Sequence, residues 1–365
     1  MLDTVSCRQR QQRLLGHMYE NKLDAVVVGQ RHHVYYLAGA LVDWKHQAGF
    51  LLERDGTARL IWPNEPPTIP VAADAVELYE ANWHGTLRQD QAQQVAEQIE
   101  VHLKVCGAAK VGVDTSPVTA ALRHLRSCMT VDSILWQMRR TKDADELALM
   151  RRAIACTERM HAKAREIIEP GLPELAMFSA LHAAAVEAAE EPMAAMLGND
   201  YHCGAAGGDP VGRKTAQSGE LYVLDLGPNY RGYFADNCRT LSVDRKPTSA
   251  QQEAWAAISG CLTLFEQNAR AGVRGAELYA HADAHLKKAL GLGMVHHLGH
   301  GVGLEPHEYP HLNPRWNDEL LVGEVVTAEP GVYGPHWRGG IRLENQYLVT
   351  ATGVENLVDV PLGLV

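Results

Sequence analysis

The sequence predicts an α/β protein of two domains, and three observations carry that prediction. A chain of 365 residues is long for one domain and comfortable for two. Its first third alternates amphipathic helix-like stretches with short β-branched runs, the pattern of a small α/β domain. The remainder repeats one order of elements, two helices and then a β-hairpin, which makes it a pseudo-twofold α+β domain.

The first domain is placed at residues 1–138. RQRQQRLLGHMYENKL reads as a helix, and LDAVVVG after it as a strand buried on both faces. VYYLAG, AGFLLERDG and ARLIWP read as further strands, closed by glycine or proline. A helix over QDQAQQVAEQIEVHLKV, a strand at KVGVD and an amphipathic stretch VTAALRHLRS complete it.

The second domain, 139–365, opens on a long helix. Asp143 stands three residues before Glu146 as a capping box, and Pro170 and Gly171 stop the helix. LPELAMFSALHAAAVEAAEE is a second helix with Pro173 in its first turn, leading into the glycine-rich GNDYHCGAAGGDPVGRKTAQSGE. Strands follow around Asp225 and Asp236. Two more helices then come, SAQQEAWAAISGCLTLFEQNARAG and GAELYAHADAHLKKALG, and two strand regions, VVTAEPGVY and IRLENQYLVT. The echo between PGLPELAMFSALH and AGVRGAELYAHADAH supports a duplication.

A net charge of -10 with no Lys/Arg cluster excludes a nucleic-acid binder, which needs a cationic face. No run of about 18 apolar residues spans a membrane, and MLDTVSCRQRQQRLL carries charge where a signal peptide needs an apolar core. Seven cysteines, Cys7, Cys106, Cys128, Cys156, Cys203, Cys238 and Cys261, are odd in number and never form a CxxC pair, so reduced thiols and a cytoplasmic location are expected.

The acids raise the chemical question. With a hairpin tip at Tyr230 and Arg231, Asp225 stands across from Asp236, and like charges so placed repel. Asp225 lies in VLDLG, inside a strand, where an unpaired carboxylate is very costly, so a metal or an arginine must compensate it. Arg239 is one candidate, although its spacing puts it on the other face. Glu329 in TAEPG and Glu344 in IRLEN flank a second turn in the same way. Four acids facing one cavity make a dinuclear cation site, since hard oxygen ligands suit divalent ions and can bridge two of them. MVHHLGHGVGLEPHEYPHL adds His296, His297, His300, His307 and His311. The glycines beside His300 let the backbone approach closely and single it out as the nitrogen ligand. His297 and His311 read as surface or core histidines.

At LDLG with ADNCRT, HHLGHGVG with PHE, AEPGVY and RLEN, the chain resembles the pita-bread metallopeptidase family, which holds prolidase, aminopeptidase P, methionine aminopeptidase and the metal-free creatinase. LDAVVVG and VYYLAG resemble the creatinase-type N-terminal domain of the prolidases and aminopeptidases P. The resemblance implies two divalent metal ions, manganese first and cobalt, zinc or iron as alternatives. It implies that Asp225 chelates one ion, that Asp236 and Glu344 bridge both, and that His300 and Glu329 complete the second. A metal-bridging hydroxide would then cleave an Xaa-Pro bond in a dipeptide or short peptide, with Glu329 as proton acceptor. His296 and His307 would bind substrate and stabilise the oxyanion, with Tyr333 and Arg342 in the same pocket. A homodimer is also implied. One departure concerns the substrate: where the family carries a substrate-binding histidine this chain has Gly208, and His202 lies too early. A small amide or amidine, as in ectoine-hydrolase-like relatives, is therefore an alternative substrate, and a non-catalytic binding protein is the alternative of another class.

Overall fold

The computed structural model describes residues 1–122, 127–193, 200–204 and 212–365, which form two compact units, Met1–Arg139 and Arg140–Val365. The first unit runs α1 (Thr4–Asn21), β1 (Ala25–Val28), α2 (Arg31–Ala38), β2 (Gly49–Glu53), β3 (Ala58–Pro63), β4 (Ala75–Tyr79), a small hairpin β5 (Asn82–Trp83) and β6 (Thr86–Leu87), α3 (Gln91–Val105), β7 (Val111–Val113), α4 (Pro117–Ala121), β8 (Cys128–Thr130) and α5 (Asp132–Arg140). Six strands make one mixed sheet in the order β4-β3-β2-β1-β7-β8. All four residues of β1 are fully buried, which is why AVVV is apolar without alternation. Val27, Leu51 and Ile61 on one face pack with Val95, Ile99 and Leu103 of α3.

One expectation fails here, because VYYLAG lies in the helix α2 and its glycine cap rather than in a strand. Local chemistry favours the helix. The Asp114 carboxylate accepts from the backbone N–H of Gly29 at 2.9 Å and of Gln30 at 2.7 Å just before the first turn. Gly39, at φ 82°, closes the helix in the left-handed conformation, with its N–H on Tyr35 O. His33, Val34, Tyr35, Tyr36, Leu37 and Ala38 are all buried, so tertiary packing overrides the strand propensity of Val-Tyr-Tyr.

The second unit begins with α6 (Ala144–Ile167) and α7 (Glu174–Ala189). The backbone N–H of Asp143 donates to Glu146 at 2.9 Å, as the capping spacing requires. Next come β9 (Asp200–Cys203), β10 (Leu221–Leu226), β11 (Asn229–Tyr230), β12 (Tyr233–Phe234) and β13 (Asn237–Ser242), with β10 central in the sheet β13-β10-β9. Then follow α8 (Ser249–Asn268), α9 (Gly275–Leu290), β14 (Gly299–Gly301), β15 (Glu308–Leu312), β16 (Val325–Ala328), β17 (Gly331–Gly334), β18 (Gly339–Arg342), β19 (Asn345–Val349) and β20 (Val354–Asn356). The helix pair and hairpin thus occur twice. The second set forms a five-stranded sheet, β15-β14-β16-β19-β20, whose apolar face packs with Ile258, Leu262, Phe265 and Leu278 of α8 and α9.

Each long hairpin is interrupted. VVTAEPGVY divides into β16 and β17, and IRLENQYLVT into β18 and β19, with Glu329 and Glu344 in the gaps. Both ladders keep one register, Ala328 pairing with Asn345 and Gly331 with Arg342, so the two glutamates face each other across the break. Among the described residues, no helix is long and apolar enough to cross a membrane.

His161, on α6, connects this architecture to pH. Its buried ring lies with Nε2 2.8 Å from Asn237 Oδ1, and Asn237 in turn donates to Thr157 Oγ1 at 2.6 Å. Burial first, and the charge of Arg239 second, push its pKa from 6.5 down to about 3. In that window the unfolded chain holds a proton that the folded chain refuses, so this contribution is complete above pH 6.5 and is lost as pH falls. His161→Gln is expected to remove from the unfolding free energy a slope that grows to about 1.4 kcal/mol per pH unit as pH falls below 6.5, measured by urea denaturation between about pH 7 and pH 5.

Candidate metal centre

Five ionisable side chains arrive at one place from five strands or their ends. Asp225 lies within β10, Asp236 immediately before β13, His300 at the centre of β14, and Glu329 and Glu344 in the hairpin gaps. All five are more than nine-tenths buried. The His300 Nε2 atom is 3.2 Å from Glu329 Oε1 and 3.7 Å from Asp236 Oδ2. Ligand atoms of Asp236, His300 and Glu344 all lie within 4.8 Å of one another, as do those of His296, His297 and Glu329.

The glycines around His300 are required by space. A Cβ on Gly299 would stand 2.1 Å from Thr327 O, and one on Gly301 would stand 1.9 Å from Tyr309 O. His300 Nδ1 is 2.9 Å from the Gly301 carbonyl, which can only accept, so Nδ1 carries a proton and Nε2 is the ring atom turned towards the carboxylates. The ring is preset as a ligand.

Electrostatics show what the cluster lacks. Burial, and after it Asp225 and Glu329, hold Asp236 well above the usual carboxylate range. Glu344 is raised well above its ordinary value by burial and then by Asp236 and Glu329. Asp225 is raised too, by burial, with Arg342 opposing. Glu329 goes the other way: burial opposes its anion, but His300, His297 and Arg342 together outweigh it. Asp225 Oδ1, Glu344 Oε2 and His297 Nδ1 are buried without a hydrogen-bond partner. Orphaned oxygens on two of four converging carboxylates, with the His300 imidazole beside them, fit two divalent cations.

The expected geometry of the first hairpin needs correction. Its turn falls at Arg231 and Gly232, at φ 48° and 95°, one residue later than the sequence reading placed it. The register therefore sets Cys238, not Asp236, opposite Asp225, and Asp236 lies diagonally nearer the turn. On its other side, Asp225 pairs directly with Asp200 of β9. Arg239 is opposite Leu224 and spends its guanidinium on the carbonyls of Pro361, Val360, Cys238 and Glu344 and on Asn345. The compensating arginine is Arg342: its Nη2 donates to Asp225 Oδ2 at 2.6 Å and also to Asp200, and its Nη1 donates to Tyr333 at 3.0 Å. The chain of bonds continues to His296. Its Nδ1 donates to the His297 carbonyl at 2.7 Å, leaving Nε2 to accept from the Tyr333 hydroxyl at 2.9 Å.

His307 stacks on His300 with ring centroids 3.7 Å apart. His297, read from the sequence as a surface or core residue, belongs here instead, with Nδ1 3.3 Å from Glu329 Oε1. His311 is held by Asp318 Oδ2 at 3.0 Å and lies outside both ligand groups. His202 is buried with Nδ1 3.2 Å from Glu174 Oε1. Gly208 lies outside the described residues. Two neighbours escaped sequence reasoning. Cys238 is hidden because register, not composition, brings it opposite Asp225; Asp200 is hidden because GNDYHC has no periodicity, and only a second carboxylate's demand from Arg342 could have pointed to it.

Residues 148–351 match metallopeptidase family M24, and residues 10–140 match the creatinase/prolidase N-terminal domain. The chain belongs to family M24. It is similar to the Xaa-Pro dipeptidase of Pyrococcus horikoshii, 25% identical over 366 residues that cover 96% of each chain. The crystal structure of the prolidase from Pyrococcus horikoshii OT3 superposes with a TM-score of 0.80, covering 98% of this chain and 100% of that one at 25% identity. An Xaa-Pro dipeptidase from Bacillus anthracis shares the fold at a TM-score of 0.83 and 22% identity, covering 98% and 99%. This M24 chain is accordingly a metal-dependent hydrolase, a pita-bread catalytic domain preceded by a creatinase-type α/β domain, with donor clusters consistent with a dinuclear site.

Crowding at β14 gives a direct check. Gly301→Ala forces the strand away from Tyr309 and is expected to cost about 2 kcal/mol or more, read as a lower melting temperature together with weaker divalent-cation binding.

Proposed function

We propose that this M24 hydrolase cleaves Xaa-Pro bonds in dipeptides or short peptides, using two divalent cations held by Asp225, Asp236, His300, Glu329 and Glu344. The observation that carries the reading is the convergence of these five buried donors, with His300 Nε2 turned towards the acids. The likeness to an Xaa-Pro dipeptidase along 96% of both chains supports the substrate class. When bound, the cations, manganese first, supply an acidified water as nucleophile.

The remaining work falls to the chain's own residues. Glu329, favoured as the anion by His300 and His297, accepts the proton at its carboxylate and passes it towards the leaving nitrogen. His307 binds the substrate carbonyl and stabilises the charge that develops on it, while His296, whose N–H is committed to the His297 carbonyl, contacts the substrate with its ring. Tyr333, half-buried, and Arg342, buried, act on the substrate through His296 and Asp225, the groups they hold. A cytoplasmic homodimer accompanies this reading, in keeping with seven scattered cysteines that never form a CxxC pair.

A second reading rests on one observation, Gly208 in place of the expected histidine: the same metal site would act on a small amide or amidine. A binding protein without catalysis is disfavoured because all five donors are present and buried together. Manganese-loaded protein is expected to hydrolyse Xaa-Pro dipeptides or longer Xaa-Pro peptides, with activity abolished by EDTA. Glu329→Gln is expected to lower kcat by about 10²-fold or more. Turnover of amides or amidines with none on either peptide class would replace the peptidase reading by the second.

A further inference from the structure

Asp200 poses a problem of its own. It opens β9 directly across from Asp225 in an antiparallel pair, and both carboxylates are more than nine-tenths buried. Two like charges so placed repel, and neither faces water. Arg342 resolves the conflict by donating from one nitrogen, Nη2, to both. The arrangement is asymmetric, because Asp225 Oδ1 remains buried without a partner while its Oδ2 is held.

Charge counting gives Asp200 a purpose. The four acids of the proposed ligand set carry four negative charges, which two divalent cations neutralise. Arg342, buried beside them, adds a positive charge that this balance leaves over. A buried arginine with no other acid would place its whole charge on Asp225 and compete with the cations for it. We infer that Asp200 is the counter-ion of Arg342, a positioning residue that draws the guanidinium's charge off Asp225 and leaves Asp225 Oδ1 to a metal ion. The inference rests on the ligand set proposed above.

The test uses the full chain stripped with EDTA and titrated with Mn²⁺, following free Mn²⁺ by electron paramagnetic resonance and folding by circular dichroism. Wild type is expected to take up two equivalents. Asp200→Asn is expected to take up the same two with affinity about 10- to 100-fold weaker, and Asp200→Glu, which restores the charge, to recover most of the loss. In an Arg342→Gln background the competitor is gone, so adding Asp200→Asn is expected to change affinity by less than about threefold. This charge-matched double variant, compared with Arg342→Gln alone, carries the test if the single Asn variant does not fold. Wild-type affinity in Asp200→Asn overturns the inference and leaves the ligand set standing. Loss of one whole equivalent overturns it as well, by making Asp200 a ligand. An unreduced Asp200→Asn effect in the Arg342→Gln background also overturns it. Fewer than two equivalents bound by wild type removes the ligand set and this inference together.

Discussion

Everything around this centre answers to one constraint: four carboxylates are buried together, each less than a tenth exposed. Burial of a single unpaired carboxylate is prohibitive, and gathering several multiplies the cost. The fold tolerates it because cationic partners and protonation share the load. Arg342 takes part of the charge of Asp225, the imidazoles favour the anion of Glu329, and Asp236 and Glu344 are driven towards their neutral forms. A protein built this way without cations holds strained electrostatics that ligation relieves, so metal affinity and fold stability draw on the same interactions.

The supporting polar groups are arranged with equal economy. Two backbone carbonyls, those of Gly301 and His297, each take a ring N–H and thereby turn Nε2 of His300 towards the carboxylates and Nε2 of His296 towards Tyr333. From Asp200 through Arg342 and Tyr333 to His296 runs a continuous hydrogen-bonded line, so the electrostatic anchor at β9 and a proposed substrate contact on the β14 side belong to one network.

Much of this was legible in the sequence. The two-domain α/β pattern, the repeated helix pair and hairpin, and the acids in strand-like runs followed from periodicity, and the family's motifs pointed to the same residues. What was not legible depended on register and on distance. A one-residue shift in the position of the Arg231–Gly232 turn decided whether Asp225 faced Asp236 or Cys238. VYYLAG has strand composition but is buried all round after a capped start, and no local count separates those cases. His297 looked like a spare histidine because nothing in HHLGH says that its ring reaches Glu329. Asp200 became visible only once β9 was seen beside β10.

The unbroken register of the second hairpin has a consequence for how the chain reaches its native state. Because β16–β19 and β17–β18 share one alignment, a slip by a single residue would turn Glu329 and Glu344 to opposite faces. Such a mispaired chain could still bury apolar side chains, yet it would offer no convergent donors. Cation capture would therefore act as proofreading: it stabilises only the correctly threaded hairpin and leaves slipped forms free to reopen and try again.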